Sequence, residues 1–323
     1  MLPVLGIDLA KAKYDVALQC RDGKNRHKAF PNTPEGHTGL LAWIGRQVDG
    51  PVHACLEATG PYGEAVALAL ADAGHTVSIV NPLAIKAYGQ SELSRAKTDR
   101  IDAGLLLRYG VAQRPSAWVP LPPDVRALQA LVRRVVALQE MREQERNRLE
   151  AYPTADVVRQ SIQDVLATLT DEIARLRAQI QHHVSQHPGL RAQRDLLTTI
   201  PGIGKTTAET LLAELFGPLS CASVKQLVAL AGLAPRVHES GASVRGRGSL
   251  SPLGTRRLRK ALYFPAVAAL RCNPVIQAMA ERLANRGKCN MVIITAAMRR
   301  LVHLAFGVLK SQRPFDPSIA LSD

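Results

Sequence analysis

The chain has 323 residues, 46% of them apolar and only 4% aromatic, with 41 lysines and arginines against 27 acidic residues, a formal net charge of +14. That length gives two or three domains with surface enough to bury a core, and the composition argues against a disordered or fibrous chain. No uninterrupted apolar run approaches the roughly 18 residues of a spanning helix and no signal-type apolar segment follows the N-terminus, which argues for a cytoplasmic protein over a membrane or secreted one.

Pro3–Asp8 and Tyr14–Cys20 are short apolar or alternating runs separated by a polar turn, the pattern of a β-hairpin. Val52–Glu57 and Thr76–Val80 read as two further strands. Helical periodicity covers Gly36–Val48, then Gly63–Ala73 with Gly74 placed as a C-terminal stop, then about Asp99–Val111. Hairpin strands followed by alternating strands and helices is the order of an α/β domain with a mixed sheet. The proline-rich run Pro115–Pro123 closes it, giving a first domain over residues 1–122.

Two long helices follow, the first over Asp124–Ala151. In the second, Ile162, Leu166, Leu169, Ile173, Leu176 and Ile180 repeat at alternating spacings of four and three, the seam of a coiled coil. Residues 123–189 therefore form a helical arm, folded as an α-hairpin or used to dimerise. From Leu190 to the C-terminus, 190–323, the chain is mainly helical. Leu196, Leu197 and Ile200 precede Pro201-Gly-Ile-Gly204, and Ala208, Leu211, Leu212 and Leu215 follow it. This is a helix-hairpin-helix pattern, whose glycines Gly202 and Gly204, with Lys205 next, suit a backbone turn facing a phosphate. A plain helix–turn–helix connection has the same outline.

The charge is concentrated at one end. Residues 1–122 carry a net +2, residues 123–198 carry +1, and residues 199–323 carry +11. Such asymmetry points to a polyanion, most often nucleic acid, and the scarcity of aromatics favours phosphate contacts over base stacking. Arg236, Arg245, Arg247, Arg256, Arg257, Arg259 and Lys260 cluster in one glycine- and serine-rich stretch, against Glu239 alone. Ser240, Ser243, Ser249 and Ser251 lie among these arginines. Each suits a phosphate-binding hydroxyl, a helix cap or a nucleophile for a phosphodiester. His238 is the nearest candidate base.

Four carboxylates of the first domain stand out. Asp8 and Glu57 end strands, and Asp99 and Asp102 lie three apart on one helix face. A carboxylate ending an apolar strand is costly unless a cation meets it, and hard oxygen ligands from several elements are what Mg2+ (or Mn2+) requires. Singly, each is equally a cap or half of an ion pair. No GxxxxGK[ST] or GxGxxG spacing supports a nucleotide cofactor. The cysteines, Cys20, Cys55, Cys221, Cys272 and Cys289, are odd in number and without a CxxC, as reduced thiols would be.

Gly6-Ile-Asp8-Leu-Ala-Lys11, Leu56-Glu57-Ala-Thr-Gly60, Asn81-Pro82, Lys97-Thr-Asp99-Arg-Ile-Asp102-Ala103 and Arg146-Asn147-Arg148 occur in that order. Ile200-Pro-Gly-Ile-Gly204, Ala231-Gly-Leu-Ala-Pro-Arg236, Glu239-Ser-Gly241 and Leu258-Arg-Lys-Ala-Leu262 follow them. Over almost its whole length the chain thereby resembles the DEDD-type insertion-sequence transposases, a group that includes bridge-RNA-guided serine recombinases. The resemblance implies an α/β plus α architecture. It has a RuvC-like (RNase H-type) domain, a coiled-coil arm, and a C-terminal transposase domain with the helix-hairpin-helix. It implies that Asp8, Glu57, Asp99 and Asp102 are a divalent-metal tetrad and that Ser240 is a nucleophile forming a covalent link to DNA. The partners it implies are donor and target DNA, a noncoding guide RNA, and further copies of the chain as dimers that pair into tetramers. A metal-dependent DNA-junction endonuclease without a covalent intermediate is the alternative, and a non-catalytic nucleic-acid-binding protein the third reading.

Overall fold

A computed structural model describes residues 2–20, 23–58, 60–92, 98–151, 155–216, 223–236, 239–240, 244–245, 249–250 and 253–318. The chain divides into two compact units, residues 1–120 and 121–323.

The first unit is built on a five-stranded mixed sheet of order β3-β2-β1-β4-β5. Its strands are β1 (Val4–Leu9), β2 (Lys13–Gln19), β3 (Asn25–Pro31), β4 (His53–Glu57) and β5 (Thr76–Val80). The expected hairpin is present: β1 and β2 pair antiparallel with Leu5 opposite Leu18 and Leu9 opposite Tyr14. β4 and β5 run parallel to β1, as buried, near-continuous apolar strands do. β3 was not expected. It pairs with β2 at the sheet edge, and Phe30 is its one buried side chain, so no apolar periodicity marks it.

Helices α1 (Pro34–Gln47), α2 (Glu64–Asp72), α3 (Pro82–Ser91) and α4 (Asp99–Gln113) complete the unit. α3 is the second element missed. Its signal was the Asn81-Pro82 pair, an N-cap whose side chain accepts from the Leu83 N–H with proline at the first helical position. On one sheet face Leu5, Ile7, Tyr14, Val16, Leu18 and Leu56 form a core with Leu40, Ile44 and Leu70. The other face carries α4, and there the side chains are small: Val4, Ala17 and Cys55 against Ala103 and Leu107.

The approach of α4 is close enough to require glycine. A Cβ on Gly6 of β1 would stand 2.2 Å from the Ala103 carbonyl oxygen and 2.3 Å from the Leu107 nitrogen. Further along, one on Gly110 of α4 would meet Cys55 Sγ at 2.6 Å and Val4 Cγ1 at 2.7 Å. Ala103 lying over Gly6 and Gly110 over Val4 means that α4 runs antiparallel to β1. Its N-terminus is thus delivered to the end of the sheet where β1 and β4 finish.

The second unit is helical. α5 (Pro123–Ala151) and α6 (Asp156–Gln186) pack as an antiparallel hairpin, since His183 near the end of α6 meets the Asp124 carbonyl at the start of α5. Of the seam residues, Leu169, Ile173, Leu176 and Ile180 are buried with Leu128, Val132, Val135 and Leu138 of α5. Towards the tip the seam residues Ile162 and Leu166 are half-buried, and Met141, Val157, Val158 and Val165 beside them are exposed. The remaining helices are α7 (Pro188–Thr198), α8 (Lys205–Leu211) continued by a π-type turn Leu212–Phe216, α9 (Val224–Leu230), α10 (Arg256–Cys272), α11 (Pro274–Asn285) and α12 (Asn290–Ser311). They share one apolar core with the hairpin. α12 is long and apolar enough by length and composition to cross a membrane, but half of that apolar window is buried among its neighbours, as for a core helix. Four two-residue strands lie between α9 and α10: β6 (Pro235–Arg236) pairs with β9 (Ser249–Leu250), and β7 (Glu239–Ser240) with β8 (Val244–Arg245). Cys20, Cys55, Cys272 and Cys289 are free thiols, and Cys221 lies outside the described residues.

Because the atoms that a Gly6 methyl would strike belong to the α4 backbone, Gly6→Ala is expected to cost about 1–3 kcal/mol. Gly45, inside α1, has nothing within 4 Å of its added Cβ, so Gly45→Ala is expected to gain about 0.5–1 kcal/mol. Urea unfolding followed through Trp43 and Trp118, both in this unit, measures the pair. A neutral Gly6→Ala would show that α4 does not need this contact.

Candidate functional site

The four acids singled out from sequence come to one end of the sheet. Val4, Gly6 and Asp8 alternate onto the face that α4 covers, and so do Cys55 and Glu57 of β4. The parallel register runs to Ile7 opposite Leu56, so Asp8 and Glu57 come next on their adjacent strands. Asp99 and Asp102 occupy the first turn of α4, where Thr98 caps the helix through the Ile101 N–H and the helix dipole favours negative charge.

A fifth carboxylate joins them. Asp15 of β2 sits directly opposite Asp8 in the hairpin register, and Lys13 bridges the group: its Nζ is 3.1 Å from Asp15 Oδ2 and 2.8 Å from Asp99 Oδ2. Both residues were overlooked in the sequence, although β2 alternates cleanly, with Tyr14, Val16 and Leu18 on the core face and Lys13, Asp15 and Ala17 on the other. A strand whose outer face starts Lys-x-Asp beside a strand ending in Asp was the available signal.

The electrostatics report the crowding. The Asp8 carboxyl is pushed up from 3.8 to about 6, first by burial, then by the negative charges of Asp102, Asp99, Glu57 and Asp15. Lys13 is pushed up to about 12 by its hydrogen bonds to Asp99 and Asp15, and Asp99 is held below the usual carboxylate range by Lys13. Among the described residues no group of three or more acids, histidines or cysteines is positioned to hold a metal ion as it stands. Asp99 is turned to Lys13 instead. The donor set nevertheless suits a hard divalent cation: all are carboxylates, brought from β1, β2, β4 and the first turn of α4. Asp8, half-buried and repelled by four like charges, is the group that such a cation would relieve most.

The basic candidates are divided among several roles. Gly202, at φ +101°, lies against α10, where its Cβ would be 2.6 Å from Ala269 Cβ and 3.0 Å from the Pro265 carbonyl. Asn273 donates to the Pro201 carbonyl and fixes the same turn. Gly204 and Lys205 are exposed at the start of α8, where the hairpin leaves open space around Gly204. Arg257 stands 3.5 Å from Glu214, a buried carboxylate gripped by both Arg133 Nε (2.7 Å) and Nη2 (3.2 Å). Lys260 reaches Glu140 at 3.2 Å through an exposed pair, a contact of little strength in water. Arg259 is half-buried and packs on Gly232, donating to its carbonyl at 3.5 Å. Arg256 is exposed. Ser240 is on β7, its backbone opposite Val244, with Glu239 opposite Arg245, while Arg236 is on β6. Arg247 lies outside the described residues, as do Ser243, Ser251 and His238.

α10 carries five basic residues and no acidic one, and four of the five fall in its first five positions. Cations at the positive end of a helix dipole cost about 0.3–1 kcal/mol each where exposed. Two of these cations are met by acids from other helices of the unit, Arg257 by Glu214 and Lys260 by Glu140.

Residues 5–152 match a family described as a transposase of the DEDD, IS110 type, and residues 194–281 a family described as the transposase IS116/IS110/IS902 family. A pilin gene-inverting protein of Moraxella bovis is 36% identical over 98% of both chains. A probable family 20 transposase of Pseudomonas aeruginosa is 29% identical over 83% of this chain and 84% of its own. A protein of insertion element IS110 from Streptomyces coelicolor is 29% identical over 49% of this chain and 38% of its own.

Replacing Asp8 tests the crowding without any metal. Its carboxyl takes its proton near pH 6 in the folded chain and near 3.8 otherwise, so ionised Asp8 opposes folding above pH 6, and the opposition fades as pH falls from 6 towards 4. In chelator at pH 7.5, Asp8→Asn is expected to raise the thermal midpoint by about 2–6 °C, a gain that shrinks towards zero at pH 4. A midpoint lowered at pH 7.5, or a gain independent of pH, would contradict the repulsion.

Proposed function

The chain belongs to the IS110-type transposases, DNA-processing enzymes that act by phosphoryl transfer, and we propose that it cuts and rejoins DNA strands through Ser240 assisted by the carboxylate cluster. In this reading the Ser240 hydroxyl oxygen forms a bond to the phosphorus of a phosphodiester as the bridging oxygen leaves with one strand end. Attack by a strand-end hydroxyl on the same phosphorus then restores a phosphodiester and frees the serine. The number of phosphoester bonds is conserved, so strands are exchanged without hydrolysis of a nucleotide, which agrees with the lack of a GxxxxGK[ST] sequence.

Asp8, Glu57, Asp99 and Asp102 would hold Mg2+ (or Mn2+), which when bound polarises phosphoryl oxygens and neutralises charge developing on them. Asp15, opposite Asp8 on the adjoining strand, would add negative charge that favours the bound cation. Lys13 would keep Asp99 paired until a stronger cation competes for it. The arginines around Ser240, namely Arg236, Arg245 and Arg247, would bind the phosphate that the serine attacks. Gly204, Lys205 and Arg256 would track the neighbouring backbone.

The observation that carries the reading is the gathering of the acids around Asp8, which, with burial, raises its carboxyl to about 6. The mixed sheet with acids at the ends of β1 and β4 supports a RuvC-like assignment for residues 1–122. In the second unit, residues 123–189 act as the arm and 190–323 as the transposase domain, a division of roles within one core. The resemblance read from the sequence adds a noncoding guide RNA, and assembly of copies as dimers and tetramers on donor and target DNA. The open apolar tip of the α5–α6 hairpin is a surface on which copies can meet. The Moraxella relative, named for inverting a pilin gene, makes inversion of a DNA segment one outcome to assay.

The experiment is recombination of a plasmid bearing the element ends, with denaturing gels to trap protein joined to DNA. Ser240→Ala is expected to lose the covalent adduct and recombination by at least about 10³-fold, as loss of a nucleophile does, while DNA binding persists. Recombination by the alanine variant would remove the serine from the mechanism. Cleavage of junctions with no adduct in the unaltered protein would establish the hydrolytic alternative.

A further inference from the structure

The charge and the reaction leave one side chain unaccounted for. Phe264, on α10, is 77% exposed, and among the described side chains no other aromatic is more than half exposed. An apolar ring of this size in water costs stability unless something covers it in the working state. Its surroundings name the chemistry of the cover. Arg257, Lys260, Phe264, Ala268 and Arg271 fall at spacings of three, four, four and three, and all five are exposed, so they form one stripe along the helix. Cations stand on both sides of the ring and no acid occurs on the helix, while Glu214 meets Arg257 and Glu140 of α5 meets Lys260 through an exposed pair that a phosphate can displace. From Arg257 to Arg271 the stripe spans about 21 Å, the reach of several nucleotides.

The ring is also braced. Tyr263, half-buried against the core, meets Phe264 edge-on with centroids 5.3 Å apart and planes at 84°. Pro265, next to Phe264, and Ala269, one turn further on, are the residues against which the Gly202 turn is packed, so the segment bearing Phe264 is fixed from behind by the hairpin motif. A rigid, exposed aromatic between cations matches the way single strands are bound, with bases stacked on rings and phosphates held by arginine and lysine. It suits duplex DNA poorly, because a phenyl ring carries no donor or acceptor for a groove edge. A basic protein surface would be repelled by the same stripe.

We propose that Phe264 is a stacking platform for an unpaired DNA base, with the adjoining phosphates lying along Arg257, Lys260 and Arg271. Strand exchange needs bases out of the duplex beside the cut, and this helix would hold one there. The proposal rests on the reading that the chain exchanges DNA strands, and it adds a single-strand contact to that reading.

The test measures binding of single-stranded DNA, the same sequence as duplex, and the same sequence as RNA, by anisotropy over a range of salt. Phe264→Ala is expected to weaken single-stranded DNA by about 5- to 150-fold, to change duplex affinity less than about twofold, and to leave the salt slope and thermal midpoint unaltered. Lys260→Ala is expected instead to reduce the slope by about 0.7. Phe264→Trp is expected to restore affinity, and its emission, read as the difference from the unaltered chain because Trp43 and Trp118 both lie in the first unit, is expected to be quenched by single-stranded DNA. Unchanged affinity in Phe264→Ala, equal losses on single strand and duplex, a larger loss on RNA than on DNA, or tryptophan emission indifferent to DNA would each overturn the proposal. Such a result with the Ser240 adduct still formed leaves the catalytic reading standing. Normal stacking with no adduct would sink that reading alone.

Discussion

The contact on which the first unit depends is the approach of α4 to β1 at Gly6, where helix backbone and strand backbone meet with no side chain between them. Everything in the acidic cluster follows from it. Gly110 repeats the close fit a few turns along, so the helix axis is fixed at two points. The direction of α4 then brings its first turn, with Asp99 and Asp102, to the end of the sheet where β1 and β4 present Asp8 and Glu57. Small residues, Ala17, Cys55 and Ala103, keep the interface thin. Thin packing gives up apolar burial, and like charges gathered at one end oppose folding further. The opposite sheet face, with its large aliphatic and aromatic core, offsets both.

The second unit is organised by a buried charge in place of a buried glycine. Glu214, in the π-type turn after α8, receives a two-pronged bond from Arg133 of α5 and stands near Arg257 of α10. A carboxylate in that position is tolerated only because guanidinium groups meet it, and the loss of Arg133 would leave it with Arg257 alone at 3.5 Å. The arrangement ties the hairpin arm to the basic helix, and Lys260 adds a weaker tie through Glu140. Arg257 and Lys260 thus each meet an internal acid while keeping an exposed side, and Arg256, Lys205 and Arg271 are exposed as well.

The fold was legible wherever burial left a period in the sequence. The β1–β2 hairpin, β4, β5, α1, α2, α4 and the arm all announce themselves by apolar spacing and caps. β3 does not, because an edge strand with a single buried residue has no alternation to read, and α3 does not, because Ile85 is its one buried side chain. The candidate site was legible in part. Asp8, Glu57, Asp99 and Asp102 could be chosen because acids are unexpected at strand ends and paired at a helix start. Asp15 and Lys13 were hidden because a charged outer strand face is ordinary in sequence, and only the register sets Asp15 across from Asp8. The division of the arginines between internal partners and solvent depends on tertiary contacts that carry no local signature. Phe264 could be read as an unremarkable core aromatic until its helix was oriented.

The proposed chemistry requires that the acids brought together by α4 form a site for a divalent cation. Titration of Mn2+ into the purified chain, followed by the loss of its free-ion paramagnetic resonance signal, tests this most directly. Saturable binding in the unaltered chain, abolished by Asp8→Asn and retained in Ser240→Ala, is the predicted result. Binding that is absent, or that survives Asp8→Asn undiminished, would contradict it.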